Sequence, residues 1–148
     1  AEAGAVLGQA PEERVQLLRS YGQHLGMAFQ IMDDILDFVG DERQMGKPVG
    51  SDLRQGIATL PVYHYLQSGG DATLVEAALG RRPQDGASRG QAVNELVAAV
   101  VSSPAIEACR EEARGFVREA ARDVSPLADG CYGRALLELA DFVVERET

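Results

Sequence analysis

Tryptophan is absent from this chain of 148 residues, and aromatic side chains make up only 5% of it. Leu, Val, Ile and Ala must therefore fill any core, and with 45% hydrophobic residues there are enough to fill one. Positive charge is also scarce: 14 Lys and Arg stand against 23 Asp and Glu, a net charge of −9. That argues against nucleic acid or an anionic membrane surface as partner, since both require a positive face. It leaves open an anionic ligand held through metal ions. The two cysteines, Cys109 and Cys131, have neither the C-x-x-C spacing of a zinc site nor the number that a disulfide framework needs. A reducing, cytoplasmic setting is the default expectation. No apolar run approaches the ~20 residues of a membrane-spanning helix, and no signal peptide is recognisable. An initiator methionine is lacking at Ala1, where the chain already reads as helix, so the protein is expected to extend upstream.

Period-two alternation is lacking throughout, which excludes half-buried strands, whereas helical periodicity is nearly continuous. Residues 3–7 read as the tail of a helix ended by Gly8. Pro11, Glu12 and Glu13 suit the first turn of a long helix reaching Val39. Gly22 and Gly26 weaken that helix, so they are expected to admit close approach of a neighbouring helix or a ligand. Residues 40–58 read as a loop too long for a mere connector. Thr59 is expected to cap a short helix with Pro61 in its first turn. Residues 71–79 and 91–101 read as helices flanking a loop at 80–90. Pro104 opens the next helix and Pro126 the last. No internal repeat or linker divides the chain, which reads as a single all-α region over 1–148.

Within the long helix, residues 26–39 are apolar almost all the way round, which predicts burial. Yet Asp33, Asp34 and Asp37 lie there. Asp33 and Asp37 share a face, and Asp34 is about 100° from Asp33. A buried unpaired carboxylate is costly, and no Lys or Arg occurs between Arg19 and Arg43. Positive charge must come from elsewhere. Clustered carboxylate oxygens suit Mg²⁺ or Ca²⁺ better than zinc. Mg²⁺ typically takes one or two carboxylates and completes its shell with water and substrate phosphates. A solvated acidic face is the competing reading. Gln30, one turn earlier, can hydrogen-bond a ligand oxygen or be a buried, satisfied side chain. Lys47, in a glycine-rich loop, offers a compact charge for a phosphate. Asp52 could hold Lys47 or a metal-bound water, with a plain loop salt bridge as the alternative for both.

The strings GMAFQIMDDILDF (26–38), GKPVGSDLRQG (46–56) and TLPV (59–62), in that order and spacing, resemble the trans-type polyprenyl diphosphate synthases. The resemblance covers the whole chain but is weaker outside residues 22–66. It implies the C-terminal half of the isoprenoid synthase helical bundle, with Asp33, Asp34 and Asp37 as the family's second aspartate-rich motif. The implied reaction is condensation of an allylic prenyl diphosphate with isopentenyl diphosphate, dependent on Mg²⁺. Asp33 is then expected to bind one Mg²⁺ directly, and Asp34 and Asp37 largely through metal-bound water. Lys47 and Asp52 would serve the diphosphate, while Phe29 and Gln30 would line the reaction centre. A homo-oligomer is expected of the family.

Departures from the pattern bear on function. The family's first aspartate-rich motif and its following arginines have no counterpart here, so half of the active site is expected to be missing. The Lys-Thr pair expected shortly before Gly4 is missing as well. Ile57 stands where many short-chain members have Lys, a slight pointer to a longer product. Besides a fragment of a complete enzyme, a non-catalytic helical partner of a complete synthase would fit this pattern.

Overall fold

The computed structural model describes residues 1–40, 46, 48–81 and 86–145. All regular structure among them is helical, as the periodicity predicts: α1 (Glu2–Leu7), α2 (Glu12–Val39), α3 (Ser51–Arg54), α4 (Leu60–Gln67), α5 (Ala72–Ala78), α6 (Gly86–Val101), α7 (Ala105–Val124), a 3₁₀ turn (Ser125–Leu127) and α8 (Cys131–Glu145). No single helix among the described residues is long and apolar enough to cross a membrane. The residues group into two compact units, one of 1–32 with 111–147 and one centred on 33–110. The division falls inside α2 and α7, so no linker marks it in the sequence.

In the first unit, α2 is held to its neighbours by side chains that the apolar stripe alone does not reveal. Arg19 pairs with Glu2 of α1. His24 Nδ1 lies 2.7 Å from Asp123 Oδ2 on α7, beside the Phe116 ring. The fully buried Tyr21 donates its hydroxyl to the Leu136 carbonyl of α8 at 2.8 Å, and burial raises the phenol's pKa. Ala28, Ala113, Ala120 and Ala140 have no exposed surface. Such small residues let helix axes approach closely, which is how a core without Trp fills its volume.

In the second unit, α5 pairs with α6, and Leu53, Val62, Val93, Leu96 and Val100 form much of the core. Asp71 caps α5 by accepting from the Thr73 and Leu74 amides. Thr59, at the N-cap of α4, does not cap it: its hydroxyl is buried without a hydrogen-bond partner among the described residues. Pro61 has no N–H at the second helical position, and the Val62 amide donates to the Thr59 carbonyl instead. Two boundaries also differ from the sequence reading. Helix α6 starts at Gly86 rather than 91, with Arg89 bonded to three carbonyls of other elements. Pro126 opens only the 3₁₀ turn, and α8 begins at Cys131.

Candidate active site

The expectation that residues 26–39 are buried all round is met on one side only. Ala28, Ile31, Met32, Ile35 and Phe38 form a buried stripe at helical spacing. Met27, Phe29 and Val39 are exposed. Phe29 and Gln30 belong to the first unit, and both are exposed. Phe29 borders an apolar cavity of about 480 Å³ that is also lined by Leu25, Leu136, Leu139 and Phe142. Gly22 and Gly26 lie on the same wall; Ala1 is in van der Waals reach of where the Gly22 Cβ would be, and nothing lies within 4 Å of one at Gly26. Of the neighbouring helix or ligand expected at these glycines, the described residues place a protein neighbour close to Gly22 and none close to Gly26.

The aspartates open the second unit. Asp33 and Asp34 are half-buried and lie off the core stripe. Asp37 is different, being only 1% exposed. Two of its acceptors are met from the following loop: Gly50 N–H donates to its main-chain carbonyl at 2.8 Å, and Asp52 N–H donates to Oδ2 at 3.1 Å. Gly50 has a φ of +73°. A Cβ there would lie 2.9 Å from Val97 Cγ2 and 3.2 Å from Val93 Cγ1 of α6. Only glycine meets both demands, left-handed backbone and close approach. The chain then runs through α3, where Leu53 is 1% exposed, and turns back with Ile57 N–H donating to the Asp52 carbonyl. Ile57 itself is half exposed. Lys47 lies outside the described residues.

Two positions that hold this region together escaped the sequence reading. Gly50 was one of several glycines in a presumed loop; the neighbouring Ser-Asp, which starts a helix, was its only signal. Arg89 donates to the Leu53, Arg54 and Ala78 carbonyls, at the C-terminal ends of α3 and α5. Nothing in its own segment, read as loop, pointed to that.

Among the described residues, no three His, Cys, Asp or Glu side chains converge as a metal-binding group. The donor set nevertheless fits Mg²⁺ in its usual mode. Two hard, partly exposed carboxylates, Asp33 and Asp34, can each supply an oxygen, and the remaining positions are left to water and phosphate.

Residues 1–96 match the family model described as Polyprenyl synthetase. The chain belongs to the polyprenyl synthetase family. A short chain isoprenyl diphosphate synthase of Methanothermobacter thermautotrophicus is 36% identical over 148 residues, covering 99% of this chain and 44% of that protein. An octaprenyl diphosphate synthase of Haemophilus influenzae is 30% identical over 145 residues, 98% of this chain and 43% of its own. The crystal structure of a polyprenyl synthase from Caulobacter crescentus CB15, complexed with calcium and isoprenyl diphosphate, matches 99% of this chain and 44% of its own. The TM-score is 0.84 at 36% identity. The all-α architecture is thus that of the polyprenyl synthases, and this polyprenyl synthetase chain spans less than half the length of the relatives it matches.

Proposed function

We propose that this chain is the metal-binding carboxylate side of a Mg²⁺-dependent prenyltransferase. The reaction joins an allylic prenyl diphosphate to isopentenyl diphosphate, forming one carbon–carbon bond and releasing inorganic diphosphate and a proton. The observation that carries the reading is the pair of half-buried carboxylates, Asp33 and Asp34, on an otherwise apolar helix of a polyprenyl synthetase chain. The relatives are named as synthases, which favours catalysis over a non-catalytic partner.

When bound, Mg²⁺ neutralises the diphosphate and makes it a better leaving group. Asp33 would hold the metal directly and Asp34 largely through metal-bound water, while Asp37, buried and bonded to the Asp52 amide, would hold the loop beside them. Lys47 would bring a point charge to the diphosphate, and Asp52 would anchor the loop that carries it. Gln30 would orient a ligand oxygen through its amide. Phe29 would exclude water from a developing carbocation and face it with an aromatic ring. Opposing ligands come from outside this chain, so the complete site is two-sided. A homo-oligomer working in the cytoplasm belongs to the same reading.

The test is steady-state kinetics on the full-length protein with both diphosphates and Mg²⁺. Asp33→Ala is expected to lower turnover about 10²–10³-fold, the scale on which removing one electrostatic stabiliser acts. An Asp33→Ala enzyme with wild-type turnover across a Mg²⁺ titration would refute the assignment. This chain by itself is expected to yield no product; radiolabelled prenyl product from the purified chain would show that one side suffices.

A further inference from the structure

The burial of Asp37 sets it apart from the two aspartates before it. Helix α3 begins at Ser51, so Gly50 is its N-cap. An N-cap residue ordinarily supplies a side-chain oxygen to the amide of the second or third helical residue. Gly50 has no side chain, and its φ of +73° and its closeness to Val93 and Val97 forbid one. The second helical amide, that of Asp52, is instead bonded to Asp37 Oδ2, 15 residues away in sequence. Asp37 also accepts from the Gly50 amide through its main-chain carbonyl. One residue at the end of α2 thus holds two amides of the loop, and its carboxylate replaces the oxygen that Gly50 cannot supply.

We infer that Asp37 is a positioning residue: it is a capping acceptor in trans that clamps residues 50–52 onto the end of α2. The inference rests on the proposed function only for its consequence, which is that Asp52 is held beside the helix carrying Asp33 and Asp34. The clamp itself requires neither metal nor substrate. Its chemistry sets two conditions. The oxygen must stand at the reach of an Asp side chain, and it need not be charged. Asn meets both conditions, Glu keeps the charge but overshoots, and Ala has no acceptor.

Amide hydrogen exchange on the full-length protein in metal-free buffer tests the clamp. In Asp37→Asn, the Asp52 amide is expected to stay within a few-fold of wild type. In Asp37→Glu and Asp37→Ala it is expected to exchange about tenfold faster or more, the loss of one hydrogen bond. Residues 96–100 of α6 should stay protected as an internal control. If Asp37→Ala unfolds, the Asn and Glu variants decide between them. Wild-type protection in Asp37→Glu, or loss of Asp52 protection or global unfolding in Asp37→Asn, overturns the inference. Failure of the prenyltransferase reading would show elsewhere, in the absence of Mg²⁺ dependence from the full-length enzyme, and would leave these exchange rates unchanged.

Discussion

Tyr21 is one of four tyrosines in a chain poor in aromatics, and it joins α2 to α8 by donating its hydroxyl to the Leu136 carbonyl. Removing the hydroxyl in Tyr21→Phe should cost about 1 kcal/mol, the net worth of a typical hydrogen bond. The pH dependence follows from burial, which raises the phenol's pKa in the folded state above its unfolded value. A group shifted in that direction contributes stability that is complete below the unfolded pKa, near 10. It is lost as pH rises through the folded value. The advantage of wild type over Tyr21→Phe should therefore be constant between about pH 7 and 9 and shrink beyond about 10. Urea denaturation of both proteins at several pH values measures it; an advantage that grows with pH would contradict the account. At the same scale, the carboxylates were legible in the sequence because charge inside an apolar helix is expensive wherever it lies. Their separation into two half-buried groups and one buried acceptor was not. It depends on Gly50 and Asp52, which residue spacing along α2 does not bring near.

At the scale of elements, the helices were readable where apolar periodicity is long, as in α2 and α7, and misplaced where tertiary contacts set the ends. The start of α6 is carried by Arg89, whose partners lie in α3 and α5. The start of α8 is set by the preceding 3₁₀ turn. A Cβ at Gly133 would lie 1.9 Å from the Leu127 carbonyl oxygen and 2.9 Å from Ala128 Cα. Backbone atoms have no rotamer by which to yield. Gly133→Ala should therefore destabilise by about 2–3 kcal/mol, at the upper end for overpacking. Gly26→Ala is the opposite case. Nothing lies within 4 Å of its added methyl, and the glycine is inside a helix, so the substitution should stabilise by up to about 1 kcal/mol. Chemical denaturation of the two variants should move the midpoint in opposite directions; a shift of the same sign in both would sink the steric argument.

For the whole molecule, the exposed apolar residues are informative. Phe29, Leu139 and Phe142 are 43%, 46% and 59% exposed, and all three border one apolar cavity. Exposed apolar surface of this kind drives association. The chain alone is expected to self-associate, with an apparent mass above 15.8 kDa in size-exclusion chromatography with light scattering. A clean monomer across a concentration series would count against it.

Composition and periodicity were enough, on their own, to determine an all-α chain, because the 3.6-residue repeat of apolar side chains is a local property written along each helix. Three linked motifs determined the family for a similar reason, since each is a contiguous string. Tertiary structure alone decided which of the aspartates is buried, that Gly50 has no room for a side chain, that Thr59 leaves its helix uncapped, and that Arg89 closes two helix ends. Each of these depends on atoms brought together from distant parts of the chain, or on which backbone donors remain once a proline has removed one. Periodicity carries no record of either.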